Sequence, residues 1–114
     1  MMEKKNLSEA IQYMEERFTK KILFQRGESV VFVLNFMPGQ QLPAHKHPGS
    51  DVYILALEGS GTMLVDESEH SLSKGETIHI GGEETFAYRN DGAEPASLHV
   101  VLSKVPSPAY AKEI

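Results

Sequence analysis

Two histidines separated by one residue are the part of this sequence best suited to chemistry. His45 and His47 lie in the segment Gly39–Asp51, and the carboxylate of Asp51 follows four residues after the second histidine. Residues i and i+2 of an extended strand point to the same face, so the two imidazoles are expected side by side. Imidazole binds Zn, Cu, Fe and Ni, and two histidines with one carboxylate form the facial set of non-haem iron oxygenases. The pattern therefore predicts a metal site, with a solvated polar strand edge as the alternative.

The elements that must position these histidines are β-strands. After Lys21 the sequence consists of short apolar runs that end at Gly, Pro, Asn or Asp, at intervals of roughly ten residues, which is typical of a sandwich or barrel. The segments 66–69 and 90–92 have the composition of hairpin connections. The predicted strands cover residues 22–24, 30–36, 52–57, 62–65, 77–80, 86–88 and 97–102.

One amphipathic helix is predicted before the strands, near residues 7–18. Its apolar side chains recur at steps of three and four residues, which is the helical period. We expect this stripe to pack against a sheet edge or a partner subunit. The expected organisation is a helical segment at 1–20, a β-barrel at 21–104 and a Pro-broken tail at 105–114. The stripe consists of Leu7, Ala10, Ile11, Met14 and Phe18.

Composition excludes several classes of protein. A chain of 114 residues predicts one domain, and its net charge of −5 argues against a nucleic-acid partner, which requires clustered Lys and Arg. The absence of cysteine excludes disulfides and thiolate chemistry. No apolar run approaches the ~20 residues of a membrane span, and the first residues do not resemble a secretory signal. We therefore expect a cytoplasmic protein without a membrane partner, and a homodimer that buries the amphipathic helix or the edge strands.

Two segments resemble the paired motifs of the cupin superfamily. Residues 39–59 read Gly-x₅-His-x-His-x₃-Asp-x₇-Gly, and the first cupin motif is usually Gly-x₅-His-x-His-x₃₋₄-Glu-x₆-Gly. Residues 75–90 are similar to the second motif, Gly-x₅-Pro-x-Gly-x₂-His-x₃-Asn. The resemblance covers residues ~22–104 and implies an all-β, cupin-type double-stranded β-helix, a jelly-roll barrel with a pocket inside one end. It also implies a divalent metal bound by two histidines and a glutamate of the first motif and a histidine of the second.

The sequence departs from this pattern at two of the four ligand positions. Phe86 stands where the second-motif histidine is expected, and phenylalanine has no lone pair for a metal. Asp51 is shorter than the usual glutamate, and one extra residue separates it from Gly59, so that Val52 is an equal candidate for this position. Because a shift of one residue reverses the face of a strand, Asp51 reaches the pocket only if a bulge follows it. His99 could replace the missing ligand if its face of the last strand is the inner one.

These observations predict a small single-domain cupin of unassigned activity that binds a small molecule, and a weakly bound divalent metal such as Fe, Mn, Ni or Zn. The alternatives are a metal-dependent enzyme, of dioxygenase or isomerase type, that acts on a small polar metabolite, and an accessory subunit without chemistry. For His79 we expect a packing or interface role. The expected metal ligands are His45, His47 and Asp51. The expected ligand pocket contains Tyr53, Phe86, Tyr88 and His99.

Overall fold

Nine strands form two antiparallel sheets in the computed structural model, which describes residues 1–105 and Glu113. Sheet A has the strand order β1-β2-β9-β4-β7, and sheet B has the order β3-β8-β5-β6. The predicted all-β architecture is confirmed. The strands are β1 (Thr19–Arg26), β2 (Ser29–Phe36), β3 (Gln41–His45), β4 (Val52–Glu58), β5 (Ser60–Val65), β6 (Ser68–Ser73), β7 (Thr77–Ile80), β8 (Phe86–Arg89) and β9 (Ala96–Leu102).

The core lies between the two sheets and follows the alternation of residues along each strand. On β2, Phe32, Leu34 and Phe36 face inward, whereas Val33 faces outward and packs with Ala10. Side chains from both sheets complete the inner layer, as expected when two sheets pack on one another. On β4 the inward residues are Val52, Ile54 and Ala56.

Two strands that the sequence did not predict are the edge strands of sheet B. β3 and β6 occupy the two ends of this sheet. Most of their side chains are exposed, so neither strand has the apolar alternation that identifies a half-buried strand. β3 also contains Pro43, which an edge strand tolerates because one side of its backbone makes no ladder hydrogen bonds. This edge strand carries His45, the first of the candidate site residues.

The predicted helix over residues 7–18 is wrong in type and length. Only Leu7–Ala10 is helical, as a single 3₁₀ turn with a capping box formed by Asn6 and Glu9. Ala10 packs on Val33 at the outer face of sheet A, and donors on the strands bond to the carbonyl groups of Ala10 and Gln12. The Asn35 Nδ2 donates to the Ala10 carbonyl at 2.8 Å, and the Thr19 hydroxyl donates to a carbonyl of the same segment at 2.6 Å. Because these carbonyls accept hydrogen bonds from the sheet, an α-helical ladder is not needed.

The two predicted hairpin connections have different outcomes. β5 and β6 pair directly across Asp66 and Glu67, both with positive φ (44° and 72°), as in a two-residue hairpin. The segment 90–92 is not a hairpin, because β8 belongs to sheet B and β9 to sheet A. The buried Asn90 fixes this crossing between sheets, since its Nδ2 donates to the carbonyls of Phe36 and Glu94 at 3.0 and 2.8 Å.

The described part of the chain ends close to the start of the barrel. The Val105 amide donates to the Glu28 carbonyl at 2.6 Å, and the Glu113 carboxylate accepts a hydrogen bond from the Ile22 amide at 2.7 Å. The rest of the predicted tail at 105–114 lies outside the described residues. No helix among residues 1–105 is long and apolar enough to cross a membrane.

Candidate functional site

His45, His47 and Phe86 form one group of rings, which together with Lys20 we call the inner cluster. The ring centroids of the two histidines are 4.5 Å apart, and each lies 5.2 Å from the centroid of Phe86. His45 ends β3 directly opposite Phe86 on β8, and His47 follows in the next loop with its ring stacked at 22° on Phe86. The structure thus brings the paired histidines together with the phenylalanine that replaces the usual third histidine.

The loop after β3 holds His47 in place through its backbone. The His47 amide donates to the Gly82 carbonyl at 3.2 Å, and the His47 carbonyl accepts from the Ser50 amide at 3.0 Å. A Cβ at Gly82 would lie 2.4 Å from the carbonyl oxygens of His47 and Ser50, so only glycine permits this close approach of the two loops. The β7–β8 connection therefore fixes the position of the second histidine.

The two histidines differ in burial. His45 is half-buried, and its Nδ1 lies 2.7 Å from the Pro43 carbonyl. Since a carbonyl only accepts hydrogen bonds, Nδ1 carries the proton and the Nε2 of neutral His45 carries the lone pair. His47 is only 3% exposed. Burial, with smaller contributions from His45 and the Lys20 ammonium, lowers the pKa of His47 from 6.5 to about 4, so its imidazole is neutral at pH 7.

Lys20 is a member of the cluster that the sequence analysis missed. This second residue of β1 is 8% exposed, and its Nζ lies 4.4 Å from the centroid of the Phe32 ring. Burial lowers its pKa. The signal was available in the strand alternation, because Lys20 and Ile22 share the face of β1 that packs inward.

Asp51 does not join the inner cluster, and its expected role as a metal ligand is wrong in this structure. Its carboxylate lies 2.8 Å from the His79 Nε2, and both side chains are about half exposed. Because Val52 is fully buried and begins β4, the residue before it faces outward. No bulge lies directly after Asp51, since Val52 pairs in regular register with Ile80 and Tyr53 with His79; the register shift of β4 comes later, between Ala56 and Glu58. Of the two candidates for the glutamate position of the cupin pattern, Val52 is therefore the one that faces the core.

Two residues expected in the ligand pocket also face outward. Tyr53 is 48% exposed, and its ring lies 5.1 Å from that of His79 on the outside of sheet A. His99 pairs with Val33 and Leu55 on the same face, while its neighbours Leu98 and Val100 point into the core. His79, expected to have a packing or interface role, contacts Tyr53 and Asp51 there.

Tyr88 points inward, like Phe86 two residues before it. Its ring is 2% exposed and packs on Phe36 with the centroids 4.9 Å apart. Burial, together with the charge of Asp91, raises the pKa of Tyr88 to about 12, so the phenol stays neutral. A groove of about 440 Å³ borders Phe86. It is lined by Ala44, Leu64, Asp66, Glu67, Thr85 and Phe86.

The donors of the inner cluster do not match the four-ligand metal set of the cupin pattern. Two imidazoles are present beside Phe86, and Val52, a candidate for the glutamate position of the pattern, is an apolar core residue. Within the described residues, no group of three or more His, Cys, Asp or Glu is placed to hold a metal ion. Catalytic metal sites in proteins usually have three protein ligands. The two imidazoles of the inner cluster are fewer than that.

Comparisons with known proteins agree with the architecture. The TT1209 protein of Thermus thermophilus has a solved structure that matches 90% of this chain and 98% of its own, with a TM-score of 0.85 and 33% identity. An uncharacterised conserved protein with a double-stranded β-helix domain from Klebsiella pneumoniae matches 96% of this chain and 94% of its own, at a TM-score of 0.83 and 19% identity, which shows the fold alone.

Among curated proteins, auxin-binding protein 1 of Arabidopsis thaliana is 27% identical over 101 residues, which is 81% of this chain. The chain spans half the length of that relative. The family defined as the cupin domain, Cupin_2, matches residues 32–102, from β2 to the end of β9. This match, with the double-stranded β-helix around the His45–His47 pair, shows that the chain belongs to the cupin family.

Proposed function

We propose that this protein is a small-molecule-binding cupin whose ligand binds at the inner cluster. The observation that supports this most directly is the group of His45, His47 and Phe86, whose rings lie 4.5–5.2 Å apart at the end of β3 and β8. Polar groups placed among aromatic and apolar side chains are typical of small-molecule sites. Relatives support a binding role, since auxin-binding protein 1 is named for a small molecule that it binds.

Weak metal binding is a second candidate, and one observation favours it. The hydrogen bond from the His45 Nδ1 to the Pro43 carbonyl orients Nε2 as a lone-pair donor, which is how metal-ligating histidines are usually held. With two imidazoles alone, affinity for a divalent cation is expected to be low. A metal-dependent enzyme would need further ligands from outside this pair, and it remains the alternative to the binding protein.

The test compares the inner histidines, His45 and His47, with the outer histidines, His79 and His99. A library of small polar and aromatic metabolites is screened by thermal shift against chelator-treated protein, because a ligand that binds only the folded state raises Tm. The matched variants are His45→Ala/His47→Ala and His79→Ala/His99→Ala, each of which removes two imidazoles. We expect hits to raise Tm in the parent and in the outer variant, but not in the inner variant. Hits that stabilise all three proteins equally would contradict the proposed site.

A further inference from the structure

Residues 10–15, which we call the strap, are held on the barrel mainly by side chains of other segments. Within the described part of the chain, residues 12–15 make no backbone–backbone hydrogen bond. Ala10 is the only buried side chain of the strap, and it packs on Val33 of β2. Few buried apolar contacts and no backbone ladder are the properties of a segment that opens locally, before the fold as a whole.

Three buried polar side chains of sheet A connect the strap to the barrel, and we call them the latch. The Asn35 Nδ2 donates to the Ala10 carbonyl at 2.8 Å, and the Tyr13 hydroxyl lies 2.6 Å from the Ser97 Oγ. Asn35 also bonds to the Thr19 Oγ1 at 3.1 Å and to the Ser97 Oγ at 2.7 Å. Opening of the strap would therefore replace its groups by water and leave the bonds among the three latch side chains in place.

Gln40 joins the strap to the loop between β2 and β3. Its Nε2 donates to the carbonyls of Met14 and Glu15 at 2.7 and 3.1 Å, and its Oε1 accepts from the Met37 amide at 2.9 Å. The Gln40 carbonyl accepts from the Asn90 amide at 3.0 Å. This residue thus contacts the strap through its side chain and the crossing between the sheets through its backbone.

The strand β3 is the element placed to respond to the strap. It begins at the residue after Gln40, pairs with β8 alone and leaves most of its side chains exposed. Its register with β8 shifts between Leu42 and His45. A strand with so few contacts depends on the loop that holds its start, and the last residue of β3 is His45 of the inner cluster.

We propose that the strap opens from sheet A while the barrel stays folded, and that Gln40 transmits this opening to β3. The strap is the two-state element, and its closed state is stabilised by the latch and by the two hydrogen bonds from the Gln40 amide. Opening removes both acceptors of that amide, so the β2–β3 loop loses its attachment to the N-terminal segment. This inference goes beyond the proposed function and does not depend on which ligand the inner cluster binds.

The first measurement compares two side-chain amides of the parent protein. Asn35 and Asn90 are both fully buried, and each Nδ2 donates to two acceptors, but only that of Asn35 donates to the strap. Exchange of both amides with solvent is followed by NMR at neutral pH. We expect Asn35 to exchange roughly tenfold faster than Asn90, because opening of the strap alone exposes it to water. Equal rates would overturn local opening, and this result needs no variant.

The variant Ala10→Glu is designed to open the strap, because it places a carboxylate against buried Val33. Met14→Glu is the matched control, since it adds the same charge at an exposed position of the strap. We expect Ala10→Glu alone to raise the exchange rates of the Asn35 side chain and of the β3 backbone amides roughly threefold or more. The rates in β6, the other edge strand of sheet B, should not change. An equal rise in β3 and β6, or none in β3, would overturn the connection.

The variant Gln40→Glu tests the transmitting residue. Glutamate keeps an oxygen for the Met37 amide but cannot donate to the carbonyls of the strap. In this background Ala10→Glu should still accelerate exchange of the Asn35 side chain but add nothing to exchange in β3, because the connection is already broken. A response of β3 as large as in the parent background would overturn the role of Gln40.

Discussion

Two pairs of histidines lie on opposite faces of the sheets, and their surroundings differ. His45 and His47 contact Phe86 inside the barrel end, and His47 is almost fully buried. His79 and His99 lie outside sheet A, where His79 is half exposed and pairs with a carboxylate. Both outer histidines are flanked by apolar residues in sequence, whereas both inner ones adjoin Lys46, so apolar neighbours in sequence do not identify a histidine inside the barrel.

Whether a histidine belongs to a candidate site therefore depends on its neighbours in space. The outer pair offers a hydrogen bond between exposed groups, which contributes little to stability. The inner pair combines burial, aromatic contacts and a nearby ammonium, and this combination is what perturbs a pKa. Variants of residues on the two faces test this contrast.

Phe86→Ala is expected to have the largest effect on stability. The side chain is 3% exposed and contacts both inner imidazoles, so its removal leaves a cavity and should lower the free energy of unfolding by about 3–5 kcal/mol. Tyr53→Ala is the outer control, since this ring is half exposed against His79; its expected cost is about 1 kcal/mol or less. Urea denaturation measures both values, and similar losses would show that the inner aromatic ring is not part of the packed core.

The burial of His47 predicts a loss of stability in acid. Its pKa is about 4 in the folded protein and near 6.5 when unfolded, so below pH 6.5 the unfolded state binds more protons. The stability contribution is complete above pH 6.5 and is lost as pH falls towards 4, by about 3 kcal/mol at most. In metal-free protein, His47→Gln should reduce the difference in unfolding free energy between pH 7 and 4.5 by about 2–3 kcal/mol. His79→Gln controls for the loss of one histidine, and an equal reduction in both variants would count against a buried neutral His47.

Any metal binding should depend on the inner pair and be weak. Titration of Zn²⁺ or Ni²⁺ into chelator-treated protein, followed by calorimetry, is expected to give a dissociation constant above the sub-micromolar range. His45→Ala/His47→Ala should weaken binding at least tenfold, or about 1.4 kcal/mol, and His79→Ala/His99→Ala should not. Phe86→His should tighten binding if it supplies the missing donor. Sub-micromolar affinity in the parent would instead reveal a third protein ligand.

The expected homodimer remains a prediction, and the outer face of sheet A is where we place its interface. Tyr53 and Leu55 are large apolar side chains left exposed on adjacent outward positions of β4. Leu55→Asp should weaken association at least tenfold and shift the sedimenting species at micromolar concentration towards 12.7 kDa. Leu64→Asp, on sheet B, is the matched control. A parent that sediments only as a monomer would refute the dimer.

The sequence analysis predicted the interior strands well, and also the edge strand β7 of sheet A, but it missed both edge strands of sheet B. Apolar runs identified β2, β4 and β9, because a strand that faces a core on at least one side must carry apolar residues. β3 and β6 were missed because edge strands are held by backbone hydrogen bonds that leave no apolar signature. The helix was overpredicted although the stripe from Leu7 to Phe18 is apolar at helical spacing. Carbonyl groups of this segment accept hydrogen bonds from Asn35 on β2 and Gln40 in the β2–β3 loop instead of from a helical turn.

The amino-acid sequence was enough to predict the all-β class, and its resemblance to the two cupin motifs placed Phe86 with His45 and His47. These follow from local periodicity and from motif spacing, which fix strand order along the chain. Which side of each strand faces the core depends on how the two sheets pack. This packing turned Asp51, Tyr53 and His99 outward and Lys20 inward, because the side-chain period of a strand is two and a boundary shifted by one residue reverses every assignment. Burial between the sheets selects one of these two registers, and no local pattern encodes that choice when both faces of β4 are apolar.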